Sequence, residues 1–165
     1  MPTIRWKGAD GSLENVVVTQ GRAQSVVTAD HAVHRYTLAW SDDWVTRSLV
    51  IGTGFRLEST SDGWNLNGRW MPELAPAIDV DFVLTPLTNS LPIHRLALSV
   101  GASAEIVTAW VDAPPALEVH LDPQRYTRTG TLTYLFESLD SDFSREITVD
   151  QAGFVVDYPG LFARQ

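Results

Sequence analysis

The sequence predicts an all-β protein, a single many-stranded antiparallel meander sheet that curls into a roll or open barrel. Three observations lead there. Apolar residues recur with period two, the mark of half-buried strands. Gly, Asn-Gly and Asp-Gly turn signals separate these runs at short intervals and favour tight hairpins. An open sheet of about ten or more strands tends to curl or close. The 165 residues suit one domain spanning 1–165, large enough to bury roughly 70% of its unfolded surface.

The strands follow in order. Val16 to Thr19 and Ser25 to Thr28 are β-branched runs on either side of Gly21. His34, Tyr36, Leu38 and Trp40 alternate with Arg35, Thr37 and Ala39. After Asp42-Asp43 comes Trp44 to Ile51, in which Val45, Arg47, Leu49 and Ile51 share a face that ought to meet the core. Phe55 to Ser59 follows Gly52, and Trp64 and Trp70 flank the Asn67-Gly68 turn, a position that leaves both partly exposed. Ile78, Val80, Phe82 and Leu84 alternate with Asp79, Asp81 and Val83. Pro86 to Leu96 is the one stretch where a helical turn fits. Glu105 to Val111, the set Leu132, Tyr134 and Phe136, Arg145 to Val149 and Phe154 to Tyr158 complete the sheet. Pro72, Pro76, Pro86, Pro92, Pro114, Pro115 and Pro123 mark places where ladder pairing stops, because proline has no N–H to donate.

Composition excludes several function classes. Twelve Lys and Arg against twenty Asp and Glu give a net charge of −8, which repels phosphate backbones and makes nucleic acid and anionic membranes poor partners. Without cysteine there is no disulfide, thiolate metal site or cysteine nucleophile. The opening Met-Pro-Thr-Ile-Arg-Trp-Lys-Gly lacks the apolar run of about 7 to 15 residues of a signal peptide, so the chain is expected in the cytoplasm. No apolar stretch of about 18 residues proposes a membrane span.

Familiar catalytic signatures are missing too. There is no G-x-S-x-G elbow, no P-loop and no third glycine after Gly52-x-Gly54, and no cofactor is expected. His31 and His34 point to opposite faces of a strand, and His94 and His120 are isolated, so no metal is expected. The distinctive feature is Ile-Asp-Val-Asp-Phe at 78–82. Asp79 and Asp81 share one strand face about 7 Å apart at Cα. On an interior face such carboxylates require partners. Arg47 is the first candidate and Arg95 the second, each able to make a bidentate pair or to grip a polar ligand head. Six tryptophans add large apolar faces, each with one N–H donor.

The strings Asp79-Val-Asp81, Thr85-Pro-Leu-Thr-Asn-Ser-Leu-Pro92 and Val156-Asp-Tyr-Pro-Gly160, with Trp44-Val-Thr-Arg47 and Gly63-Trp64 ahead of them and Gln124-Arg-Tyr-Thr127 and Tyr134-Leu-Phe-Glu-Ser138 before the last, resemble a bacterial family described as putative glycolipid-binding proteins. The resemblance runs from about Ala32 to the C-terminus and is loose over the first thirty residues. It implies a spiral β-roll similar to bacterial carriers that hold acyl chains, and no catalytic residues. The threonine-proline string also has a structural reading, with Pro86 and Pro92 fixing the backbone while Thr85, Thr88 and Asn89 satisfy it.

The leading expectation is a binding module whose rolled sheet takes an amphipathic ligand inside. Arg47, Asp79, Asp81, Asn89, Arg95, Gln124 and Tyr126 would contact the head, and Trp44, Trp64, Tyr134 and Phe136 the apolar part. An alternative is an enzyme acting on a glycoside or ester through Asp79 and Asp81, but neighbours on one strand rarely bracket a scissile bond. A third is a structural or interaction domain with a buried Asp/Arg network. The two sheet edges leave the oligomeric state open.

Overall fold

In the computed structural model, which describes residues 1–165, fifteen strands form one continuous sheet. In chain order they are β1 (Thr3–Gly8), β2 (Leu13–Thr19), β3 (Arg22–Ala29), β4 (Ala32–Trp40), β5 (Thr46–Ile51), β6 (Phe55–Thr60), β7 (Gly63–Leu66), β8 (Arg69–Met71) and β9 (Asp79–Phe82). A single α-helix, α1 (Leu87–Leu96), separates these from β10 (Ser103–Val111), β11 (Val119–Arg128), β12 (Thr133–Ser138), β13 (Ser144–Val149), β14 (Val155–Tyr158) and β15 (Phe162–Arg164).

The strand order is β8-β7-β6-β5-β4-β3-β2-β1-β15-β14-β13-β12-β11-β10-β9. The chain starts mid-sheet, winds outward by hairpins to β8, and crosses through a 3-10 turn at Pro72–Leu74 to the opposite edge at β9. It then winds inward until β15 pairs with β1. One pair departs from the expected antiparallel pattern, because β9 and β10 run parallel. A hairpin cannot join parallel strands, and α1 is the crossover. The sheet stays open but rolls over on itself, so that Val80 N on β9 donates to Thr46 Oγ1 on β5 at 3.4 Å.

The alternation read from sequence is the alternation of burial. Tyr36, Leu38 and Trp40 face inward, as do Tyr134 and Phe136. The helix lies inside the roll, and every residue from Leu87 to Ile93 is buried, as expected of a helix contacted on all sides. Leu87 and Leu91 join the larger apolar cluster with Trp6, Leu38 and Phe82, while Ile93 joins a second with Tyr126, Phe136 and Tyr158. The helix therefore occupies the interior volume that the sequence reading assigned to an acyl chain. Its entry uses the threonine-proline string structurally. Leu87 N donates to Thr85 Oγ1 at 3.0 Å, and Phe82 N donates to Thr88 Oγ1 at 3.2 Å.

Two sequence expectations fail for local reasons. Arg47 does not share the core face. Trp40 pairs with Thr46 and Ala39 with Ser48, so Arg47 is the extra residue of a β-bulge. The bulge reverses the alternation, leaving Thr46, Leu49 and Ile51 inside and Arg47 exposed outside. Pro123, expected to end a strand, sits within β11 opposite Val107. Its carbonyl accepts from Leu139 N at 2.9 Å, so its nitrogen faces the same side, just before the β11–β12 ladder begins at Gln124, where no donor is needed.

An aromatic stack joins three distant segments. Trp44, held at φ +63°, lies on the His94 ring with centroids 3.7 Å apart and against Trp40 at 5.6 Å. Gly153 approaches the His94 ring closely. It has φ +78°, and a Cβ there would fall 2.5 Å from His94 Nε2. Gly153→Ala is expected to cost about 1–2 kcal/mol from the left-handed backbone alone and more from displacing His94. Gly11→Ala, at φ +89° with open space around it, should show the backbone part only. Equal losses in paired thermal melts would mean that the His94 contact contributes nothing.

Candidate functional site

Strand β9 carries Val80 and Phe82 into the large apolar cluster and turns Asp79 and Asp81 toward α1 and β11. Thr88 and Arg95 are seven residues apart on α1 and so share a helix face. Arg95 donates from Nε to Asp79 Oδ1 at 3.2 Å and from Nη2 to Asp79 Oδ2 at 2.5 Å. This is the bidentate pair anticipated for Arg95, and Arg47 takes no part in it. Burial pushes the Asp79 carboxyl up while the Arg95 hydrogen bonds and charge pull against it. Asp79 is thereby committed to Arg95.

Asp81 meets a different set. Thr88 Oγ1 donates to its Oδ1 at 3.2 Å, and Gln124 Nε2 donates to its Oδ2 at 2.7 Å. The same amide nitrogen also donates to Asp122 Oδ2 at 2.7 Å. Burial, reinforced by the Asp122 charge, pushes the Asp81 carboxyl up to about 6. Asp122 is raised as well, first by burial. Beside them Asn89 Nδ2 donates to Tyr126 Oη at 2.9 Å, and burial raises the Tyr126 hydroxyl well above its ordinary range.

These groups border a cavity of about 320 Å³ at the mouth of the roll, walled by Asp81, Thr85, Asn89, Trp110, His120, Asp122, Phe136, Asp140, Phe143 and Tyr158 among others. Phe136 packs edge-on against Phe143 and Tyr158, with both centroid separations 6.0 Å. Trp110 and His120 form a second ring pair at 4.7 Å. The volume lies at the lower end of the about 300–1,000 Å³ usual for small-molecule pockets, enough for one ring or head group.

Of the residues singled out from sequence, Asp81, Asn89 and Phe136 line this cavity. Gln124 and Tyr126 support it from behind, and Asp79 with Arg95 lies next to it. The others are elsewhere. Trp64 is fully buried, contrary to the expected partial exposure, and its Nε1 donates to Ala77 O at 2.9 Å. Trp70 is 57% exposed. Tyr134 packs in the second cluster beneath the Arg128 guanidinium, Trp44 belongs to the His94 stack, and Arg47 lies on the outer surface near Ser59 and Asp62.

Sequence reasoning missed Asp122, Trp110, His120 and Tyr158. Asp122 was within reach, because 122, 124 and 126 lie on one strand face. It also missed Glu14, whose Oε1 accepts from Ser25 Oγ at 2.6 Å and Tyr36 Oη at 2.5 Å. Its Oε2 is buried without a partner, and burial raises its carboxyl. Extending the period-two run of Val16 and Val18 backward places Glu14 inside.

A family profile described as "Putative glycolipid-binding" matches residues 3–164. The crystal structure of a DUF1089-family protein from Pseudomonas aeruginosa superimposes with a TM-score of 0.84 and 34% sequence identity, over 93% of this chain and 92% of that one. No curated protein matches the sequence. No helix is long and apolar enough to cross a membrane.

Proposed function

Since the chain belongs to the family described as putative glycolipid-binding, we propose that it binds the polar head of an amphipathic ligand of the glycolipid class in the cavity between β9, α1, β11 and β12. The observation that carries this reading is the meeting of hydrogen-bonding groups and ring faces in one cavity. Asp81, Asn89, Asp122 and Asp140 stand against Trp110, Phe136 and Tyr158. Carboxylates and amides satisfy hydroxyls, and aromatic faces cover the C–H surface of a sugar ring. With α1 inside the roll, the head seats in the cavity and the chains of the ligand run along the exposed rim rather than through the interior.

Native mass spectrometry of the freshly purified protein, followed by solvent extraction and lipid analysis, tests the reading. A defined adduct bearing an acyl chain and a sugar head is expected, together with a mass shift on adding an alkyl glycoside that Trp110→Ala weakens. An apo mass unshifted by alkyl glycosides would sink it.

A further inference from the structure

We propose that the head recognised in this cavity carries a protonated amine, as an amino sugar or an amine-headed lipid does; this rests on the cavity being the ligand site. Its wall holds three carboxylates, Asp81, Asp122 and Asp140, with no lysine or arginine among its lining residues. With three carboxylates against a single imidazole, that of His120, a phosphate or carboxylate head would meet mainly like charge there.

The hydrogen-bond inventory points the same way. Gln124 is 1% exposed and gives both hydrogens of its Nε2 to Asp81 and Asp122. With that amide donor committed, Asp81 and Asp122 present the remaining acceptor positions of two carboxylates on the cavity wall. A group that brings several donors and a positive charge completes the set, and an ammonium has three N–H donors and no acceptor.

Neighbouring cations are committed elsewhere. Arg95 holds Asp79. Arg145 donates to the Pro159 and Ser144 carbonyls while lying over the Phe143 ring at 4.7 Å. Arg125 is paired with Glu105 and Glu137. The ring faces of Trp110, Phe136 and Tyr158 add attraction for a cation, strongest where water is displaced.

Four probes separate charge, sugar and chain: octylamine, octyl β-glucoside, octyl phosphate and free glucosamine, each titrated calorimetrically at pH 7.5 and low salt. Octylamine is expected to bind at least about tenfold tighter than octyl glucoside, with octyl phosphate showing no binding. Displacement of octylamine by glucosamine would support the proposal and assign the affinity to the head rather than the chain. Asp122→Asn should weaken octylamine about tenfold and octyl glucoside by less, so that the preference for the amine shrinks. Asp140→Asn, at the exposed rim, is the second variant should the first fail to fold, with a smaller loss in the same direction. If octyl glucoside binds as tightly as octylamine, or octyl phosphate binds at all, the amine assignment is overturned and the ligand-binding reading stands. Failure of all four probes overturns both.

Discussion

Arg95→Met is expected to destabilise the protein by about 3–5 kcal/mol, because it leaves Asp79 as an uncompensated buried charge. The Asp79 side chain is 0% exposed and its partner 17%, so little water can replace the guanidinium. The loss comes mainly from the carboxylate left behind. The double variant Asp79→Asn/Arg95→Met should therefore recover a large part of it, since a buried pair exchanged for neutral groups is often close to neutral. The surface pair Arg56–Glu58, with side chains 57% and 39% exposed, is the comparison. Its removal should cost far less, because water screens both partners. Urea unfolding of the four proteins checks this, and an Arg95→Met loss no larger than that of the surface pair would mean that Asp79 finds another partner.

The stability of Asp81→Asn relative to the parent protein is expected to change with pH by up to about 3 kcal/mol, following the rise of the native carboxyl from 3.8 to about 6. Unfolded, the group titrates near 3.8; folded, near 6. Between those values the native state binds the proton more tightly, so acid favours folding. Above about pH 6 both states are ionised and the cost of the buried charge is complete. As pH falls through about 6 toward 3.8 that cost is relieved. The asparagine variant should consequently look best against the parent at pH 8 and worst near pH 4. Comparison with the parent matters because other groups titrate in the same range. Glu14, Asp79 and Asp122 are also raised and act in the same sense. His94 is lowered from 6.5 by burial and opposes them, losing stability as pH falls through its native value. Asp10 and Asp150 are lowered from 3.8, so their stabilisation is lost only in stronger acid. A difference between Asp81→Asn and parent that stays flat from pH 8 to 4 would show that the carboxyl is already solvated.

Much of the fold was legible because strand signals are local. The alternations at 36–40, 80–82 and 134–136 depend only on which residues can sit together on a pleated face, whereas Ile78 and Leu132, read as the first members of two of these runs, lie exposed outside the strands. The Pro86–Leu96 helical turn and the Asn67-Gly68 hairpin were legible for the same reason. Asn67 at φ +51° and Gly68 at φ +81° adopt the paired positive angles that the dipeptide favours. Of the missed strands, β1 alternates Ile4 and Trp6 inward and was within reach, while the others carry weak local signals. β7 and β8 have four and three residues, β15 has three, and β11 is interrupted by Pro123. Asp30 and His31 close the β3–β4 hairpin with φ +49° and +62°, without the glycine that announces such a turn.

The candidate site was legible only in part. Asp81, Asn89 and Gln124 stood out through the strings that contain them, whereas Trp110, His120 and Tyr158 carry no local mark of convergence. Arg47 shows how one residue can mislead. A single bulge opposite Ala39 and Trp40 moves a side chain from the inner face to the outer one, and period-two reading has no means of detecting the inserted residue.

By itself the sequence determined what short-range chemistry can determine: the strand class, the inward alternation of Tyr36 to Trp40, the hairpin turns, the position of α1 and the acidic strand at 79–81. Tertiary structure alone decided the parallel pairing of β9 with β10, the junction of β1 with β15, the filling of the roll by its own helix, and the division of partners that sends Arg95 to Asp79 and Gln124 to Asp81. The reason is physical. Alternation and turn propensity act between residues a few positions apart, while contacts such as Trp6 Nε1 to Val155 O span 149 residues and are selected only when the whole apolar surface is buried at once.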